Sequence, residues 1–170
     1  IRKDKIEKIN ALMSGPSRRR AGSMRKYESV GTQSVAPFLA IGEAVQFHLA
    51  IGGKRKEERM RYLTHYWAER LQKVANIRLY TSLTPEMSCG IATVGIEGAH
   101  PEALRDYLWE QHHIQTARID RDESLQGLRT SPNLYTTLRE LDYFCDVMED
   151  VAGNGLPEPY KSMTFERDFR

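Results

Sequence analysis

Cysteine is scarce in this chain of 170 residues, which has only Cys89 and Cys145, far apart in the sequence. Their spacing excludes the paired-cysteine motifs of zinc sites and redox centres. So few cysteines are typical of a reducing compartment, and we expect a cytoplasmic protein in which both are core thiols. The chain also lacks an apolar run long enough to cross a bilayer, so we expect no membrane partner.

Several other features that mark a catalytic or binding class are missing. The five histidines form no ligand pair of metal-binding spacing, and we predict no metal site. The chain has no Walker A loop, no Gly-x-Gly-x-x-Gly fingerprint and no Gly-x-Ser-x-Gly elbow. A formal net charge of +2 is too small to indicate a nucleic-acid partner. The sequence therefore carries no self-contained catalytic centre.

The beginning of the chain indicates a part of something larger. The first residue is Ile1 rather than methionine, and no secretory signal follows it. The segment Lys3–Met13 has the apolar spacing of a helix that ends at Gly15-Pro16, but its apolar face has no evident partner. We therefore expect a fragment, or the ordered part, of a longer protein.

Two longer helices are predicted next. Ser34 can act as an N-cap and Pro37 is tolerated in a first turn, so one helix should begin there and stop at Gly52-Gly53. A second should run from about Lys54 to Val74, because apolar residues recur at steps of three and four. The basic cluster at its start, Lys54-Arg55-Lys56, is interpreted as solvated.

The residue types then change to those of a small mixed domain. Strands are predicted at Ile77–Thr81, Cys89–Glu97, Ile114–Ile119 and Gly127–Ser131, with helices over Pro101–His112 and from Thr137 to about Val151. Thr137 and Glu140 have the spacing of a capping box, and the charged residues 121–126 are predicted to form a hairpin loop. The order β-β-α-β-β-α predicts an α/β (α+β) fold: a largely antiparallel sheet with helices on one face, preceded by the two long helices.

Two segments have the chemistry of anion binding. Gly31-Thr32-Gln33 precedes a helix, where free N–H groups, a hydroxyl and the helix dipole suit a phosphate. Arg129 ends the last predicted strand and can offer a planar fork to a carboxylate. On local pattern alone, an ordinary helix entry and a surface arginine on an edge strand are the favoured explanations of these residues.

Four stretches resemble the C-terminal part of class V aminotransferase-like enzymes, a family that includes isopenicillin N epimerase-like proteins and cysteine desulfurases. Tyr27–Gln33 resembles the family's Gly-Thr motif, and Leu128–Thr137 resembles its Arg-x-Ser-Pro-x-x-Tyr-Asn-Thr motif. The other two stretches are Ile1–Ile6 and Ala40–Lys54. Thr136 stands where the family has asparagine, and Tyr135 is expected to be structural.

The resemblance implies a fold-type I enzyme that uses pyridoxal 5'-phosphate. Gly31 and Thr32 would bind the cofactor phosphate across a homodimer interface, and Arg129 would bind the α-carboxylate of an amino-acid substrate. The Schiff-base lysine would lie upstream, so neither Lys3 nor Lys5 should take its role. Residues 1–37 would be the tail of the large domain, residues 38–152 the bridging helices and small domain, and residues 153–170 a polar tail.

One departure from the family pattern narrows the expected chemistry. Desulfurases of this family place a reactive cysteine before the carboxylate-binding arginine, and no cysteine lies between His113 and Arg129. This favours aminotransferase- or epimerase-like chemistry. Two alternatives without catalysis stay open: a ferredoxin-like module that binds a small molecule, and an oligomerisation domain.

Overall fold

The structure, a computed structural model, describes residues 2–6, 8–9, 23–27, 34–122 and 124–163. The chain divides into two compact units, Ile1–Ala50 and Ile51–Arg170. In the first unit, α1 spans Lys3–Ile6, a 3-10 helix spans Met24–Tyr27, and α2 spans Ala36–Ile51.

Helix α2 is apolar on most of its surface and has no buried residue. Its exposed apolar side chains include Phe38, Leu39, Ile41, Val45, Phe47 and Leu49. The helix begins at Ala36, and the carbonyl of Val35 accepts the N–H groups of Phe38 and Leu39, both at 3.1 Å. A helix that is apolar on nearly all sides is typical of a protein interior.

The second unit contains three helices and four strands. These are α3 Gly53–Leu71, β1 Ile77–Leu79, β2 Ala92–Ile96, α4 Pro101–His112, β3 Ala117–Asp122, β4 Leu125–Thr130 and α5 Leu138–Asn154, followed by a 3-10 helix at Tyr160–Ser162. Gly52, at φ 90°, separates α2 from α3, since this backbone conformation strongly favours glycine. The predicted order β-β-α-β-β-α is confirmed.

All strand pairs of the sheet are antiparallel, in the order β1-β2-β4-β3. β2 and β4 approach closely: a Cβ added at Gly127 would lie 2.6 Å from the carbonyl oxygen of Val94. Only glycine fits such an approach. Because side chains alternate along a strand, Val94 and its partner Leu128 share one face, while the pair Thr93 and Arg129 shares the other.

The helices cover the face that carries Val94 and Leu128, and the core lies between them. It includes Leu63, Trp67 and Leu71 of α3, Leu104 and Leu108 of α4, and Phe144, Met148 and Val151 of α5. Trp67 and Phe144 meet edge to face with ring centroids 5.6 Å apart. Such aromatic pairs add roughly 0.5–1.5 kcal/mol beyond their area burial. The predicted helices on one face of an antiparallel sheet are thus confirmed.

An ion cluster links α3 to α5 at the edge of this core. Arg70 donates from Nε and Nη2 to the two carboxylate oxygens of Glu149, each at 2.8 Å, and its Nη2 also bonds Asp146. These hydrogen bonds raise the pKa of the Arg70 guanidinium above its ordinary value. Tyr66 adds a bond to Asp142 at 2.8 Å. The cluster is structural, since it joins two helices that already pack together.

The structure corrects several sequence predictions. Lys8 and Ile9 are outside α1, so the first helix is shorter than predicted there. Trp109 is exposed on α4, although Leu104 and Leu108 of the same helix are buried. The loop predicted over residues 121–126 is shorter in the structure, because β3 and β4 continue into it and form a tighter hairpin. Two charged residues of β3 lie against α4: Arg118 forms an ion pair with Glu102, and the carboxylate of Asp120 lies 3.8 Å from Nε2 of His100, the N-cap of α4.

Candidate functional site

Arg129 is the penultimate residue of β4, as the sequence predicted. It lies opposite Thr93 of β2 and Ala117 of β3, two small residues that leave space above the sheet. Its side chain is exposed, and no residue in the described part of the chain forms a hydrogen bond or ion pair with its guanidinium. The fork is therefore open to a ligand on the sheet face opposite the helices.

The backbone at Arg129 is fixed on both sides by strand pairing. Leu128, the preceding residue, is fully buried in the core and anchors β4 to the helices. Thr130, the next residue, pairs with Ala92 of β2. A central strand held in this way offers a guanidinium from a rigid base, which is the arrangement that binding sites require.

The loop that follows β4 is short and internally bonded. Asn133 organises it: its side-chain oxygen accepts the N–H of Leu134 at 2.7 Å, and its carbonyl accepts the N–H of Thr136 at 2.8 Å. Pro132 is buried and has a fixed φ. These bonds therefore give Ser131–Thr136, which connects the strand of Arg129 to the next helix, a defined backbone conformation.

Helix α5 closes this loop with the predicted capping box. The N–H of Glu140 donates to the Thr137 hydroxyl at 3.3 Å, and the Glu140 carboxylate accepts from the N–H of Thr137 at 2.7 Å and from its hydroxyl at 2.8 Å. These bonds to Thr137 lower the pKa of the Glu140 carboxyl. The first turn of α5 is therefore held by reciprocal bonds, which satisfy donors that a helix start otherwise leaves unpaired.

Helix α3 supplies two residues that sequence reasoning missed. Arg59 donates from Nε to the carbonyl of Leu134 at 3.4 Å and from Nη2 to that of Thr136 at 3.1 Å. Two residues later, Arg61 donates to the carbonyl of Ser88 and to Glu57. Each arginine ties a loop at the Arg129 end of the sheet to α3. The Arg59 contacts join residues 75 and 77 positions apart, and the contact from Arg61 to Ser88 joins residues 27 apart, so no local pattern could have indicated these three bonds.

A cleft of about 350 Å³ lies at the same end of the sheet, on the face that the helices cover. Its lining includes His112, Thr116, Thr130 and Tyr143. The Tyr143 hydroxyl bonds Nδ1 of His112 at 2.8 Å. Within the described ranges, Nε2 of His112 and the hydroxyls of both threonines are buried without a hydrogen-bond partner.

The two cysteines occupy different environments. Cys145 is buried on α5, and burial raises the pKa of its thiol to about 12. This confirms the predicted core thiol. Cys89 is half-buried and precedes β2, where its Sγ lies 4.0 Å from the carbonyl oxygen of Glu57, so it is a loop residue rather than a strand core residue.

Two of the predicted site residues, Gly31 and Thr32, lie outside the residues that the structure describes. Tyr135 is described and is 76% exposed, so the structural role predicted for it is not seen. Among the residues that the structure describes, no group of three or more His, Cys, Asp or Glu side chains could hold a metal ion. None of the described helices is long and apolar enough to span a membrane.

Comparison with known proteins identifies the family. A family model described as aminotransferase class-V matches residues 2–144. Isopenicillin N epimerase of Streptomyces clavuligerus is 32% identical over 82% of this chain, and that of Amycolatopsis lactamdurans is 29% identical over 79%. The chain covers only 36% and 35% of these relatives, about a third of their length.

Solved structures agree with this result at the level of the fold. A cysteine desulfurase from Thermococcus onnurineus matches with a TM-score of 0.67 at 18% identity, over 90% of this chain and 42% of that one. A NifS-like protein matches with a TM-score of 0.65 at 20% identity, over 85% of this chain and 39% of that one. The four-stranded sheet and its helices therefore correspond to part of a fold-type I architecture. The chain belongs to the class V aminotransferase family, whose members are pyridoxal phosphate enzymes.

Proposed function

We propose that this chain is the C-terminal part of a pyridoxal-phosphate-dependent, aminotransferase- or epimerase-like enzyme that acts on an amino acid. Arg129 binds the α-carboxylate of the substrate, and Gly31 and Thr32 bind the cofactor phosphate across the interface of a homodimer. Residues 1–37 complete the large domain, and residues 38–152 form the bridging helices and small domain. A cytoplasmic location, in a reducing compartment, is part of the same proposal.

The observation that carries this proposal is the open guanidinium of Arg129 on a rigid central strand. A buried or ion-paired arginine could not bind a carboxylate without first losing its partner, whereas this one has no partner in the described ranges. Arginine binds a carboxylate through two parallel N–H···O bonds, which fix direction as well as distance. The described residues therefore fit the part of the proposed site that binds the substrate carboxylate.

The protein residues would contribute orientation, while the cofactor would contribute reactivity. Pyridoxal phosphate, when bound, supplies an electron sink for charge that develops at the substrate Cα. Arg129 holds the carboxylate so that the Cα–H bond, rather than the bond to the carboxylate, is aligned for cleavage. The hydroxyl of Thr32 and the N–H groups near Gly31 bind the phosphate.

Replacing Arg129 in the full-length protein tests the carboxylate assignment. For Arg129→Ala we expect a loss of about 1.5–3 kcal/mol of substrate binding, equivalent to roughly a 10- to 150-fold rise in KM. The cofactor absorbance should be retained, because the variant leaves the phosphate residues intact. Arg139→Ala, an exposed arginine on α5, is the matched control and should behave as the parent. Unchanged KM in Arg129→Ala would contradict the assignment.

A second substitution tests the phosphate assignment separately. Thr32→Ala should release cofactor more readily during dialysis, whereas Thr32→Ser, which retains the hydroxyl, should hold it. Equal retention in both variants would remove Thr32 from the site without affecting the role of Arg129.

The stereochemical outcome distinguishes the two reaction types. In D2O, an epimerase introduces deuterium at Cα and yields both enantiomers of the amino acid, whereas an aminotransferase yields an oxo acid. The absence of a cysteine between His113 and Arg129, together with the epimerase relatives, favours these two outcomes over sulfur transfer. Release of sulfide from cysteine would contradict this choice.

A further inference from the structure

We propose that Arg59 is a positioning residue for substrate binding: it holds the loop that follows Arg129 and thereby fixes where the Arg129 guanidinium lies. This inference rests on the proposed role of Arg129 and adds a residue from a different helix to the same site.

The contacts of Arg59 are made to one short loop. Its guanidinium donates to the carbonyls of Leu134 and Thr136, at 3.4 and 3.1 Å, in a part-buried setting. These two carbonyls flank Tyr135, so a single planar fork spans the peptide units around that residue. Hydrogen bonds from a charged donor are about twice as strong as neutral ones. The same guanidinium lies over the ring of Tyr62, 5.6 Å from its centroid, which restrains its position further.

The loop is short enough to pass this restraint to Arg129. Only Ser131–Thr136 separates the last residue of β4 from the Thr137 cap of α5. Pro132 is buried with a fixed φ, and the Asn133 bonds shape the turn beyond it. The ladders of β4 end at Arg129 on the β3 side and at Thr130 on the β2 side, so this restrained loop begins where strand pairing stops. Displacement of a binding group by about 1 Å can reduce a rate roughly 100-fold.

A purely structural explanation of Arg59 makes a different prediction. An arginine that only stabilises the fold should change the melting temperature and the amount of active enzyme, but not the KM of the molecules that are folded. A positioning residue should change KM through Arg129. The two explanations therefore differ in whether the effect of Arg59 depends on the presence of Arg129.

The test is a double-mutant cycle on the full-length enzyme with bound cofactor. Arg59→Met keeps the aliphatic stem and removes all donors, and we expect a 5- to 20-fold rise in KM for the amino-acid substrate. Arg59→Lys keeps one charged donor group and should restore part of the loss. In the Arg129→Ala background, Arg59→Met should raise KM by less than twofold. Arg55→Met, an exposed arginine one turn earlier on α3, is the matched control and should match the parent.

The outcomes separate this inference from the proposed function. If Arg129→Ala itself leaves KM unchanged, the proposed function fails. If Arg129→Ala raises KM while Arg59→Met does not, or if the two effects simply multiply in the double variant, positioning by Arg59 is wrong and Arg129 keeps its role. If Arg59→Met fails to fold, Arg59→Lys replaces it in the cycle. A rise in KM that disappears in the Arg129→Ala background would support the inference, and an unchanged KM would contradict it.

Discussion

Leu128 and Arg129 are neighbours in the sequence but lie on opposite faces of the sheet. Leu128 has no exposed surface and packs in the core, while Arg129 is exposed on the uncovered face. The alternation of side chains along β4 thus places a core residue next to the residue that we propose binds the substrate. This separation makes their substitutions experimentally distinguishable.

We expect Leu128→Ala to lower the free energy of unfolding by about 2–5 kcal/mol, since it removes buried methyl groups and leaves a cavity. Arg129→Ala should change it by less than about 0.5 kcal/mol, as surface substitutions without partners usually do. Urea denaturation followed by circular dichroism measures both. A destabilisation by Arg129→Ala as large as that by Leu128→Ala would show that the arginine has a structural partner.

The capping box of α5 should make stability depend on pH. Because hydrogen bonds lower the pKa of Glu140 in the folded protein, its carboxylate stabilises the fold at pH values above the ordinary pKa of 4.5. That contribution is lost as the pH falls through the lower, folded-state pKa. The parent should therefore exceed Glu140→Gln in melting temperature at pH 7, and the difference should shrink below about pH 4. A difference that stays constant from pH 7 to pH 3 would contradict the assignment.

Replacing the other half of the box gives a separate measurement. Thr137→Ala removes the hydroxyl that accepts from Glu140 N–H, and loss of such a cap costs about 1 kcal/mol. Thr137→Ser keeps the hydroxyl and should be close to the parent. Chemical denaturation distinguishes them, and equal stability of the alanine and serine variants would show that the cap contributes nothing.

The two cysteines should differ in reactivity. The Cys145 thiol, buried and with a pKa raised to about 12, stays protonated at pH 8 and should resist iodoacetamide in the native protein. Cys89, which is half-buried in a loop, should be labelled first. Mass spectrometry of labelled peptides measures the order, with the denatured chain as the control in which both react. Preferential labelling of Cys145 in the native protein would contradict its burial.

Helix α2 should make the 170-residue chain associate. Its six exposed apolar side chains form a surface of the kind that soluble monomers rarely present. We expect sedimentation velocity to show association that increases with concentration. Phe38→Lys with Phe47→Lys should reduce it, whereas Tyr135→Lys, an exposed aromatic residue elsewhere, should not. A monomer at all concentrations would show that α2 is covered by other residues of the chain.

The sequence alone determined what depends on local chemistry. Pro101–His112 has the spacing and flanking residues of a helix, and α4 has those bounds. Thr137 and Glu140 indicated their mutual bonds because a capping box needs only residues three apart. The family resemblance predicted the fold-type I relationship from short motifs, and the family match confirms it. The functional roles of Gly31, Thr32 and Arg129 stay predictions.

Only the tertiary structure decided which distant residues meet. Arg59 reaches Thr136 in the loop after β4 across 77 residues, and Arg70 reaches Glu149 across 79, because α3 packs beside that loop and beside α5. Helical periodicity placed Leu63, Trp67 and Leu71 on one face but could not say what that face would contact. The physical reason is that propensity and spacing act within a few residues, whereas the packing that brings Arg59 to the carbonyls of Leu134 and Thr136 depends on the whole core.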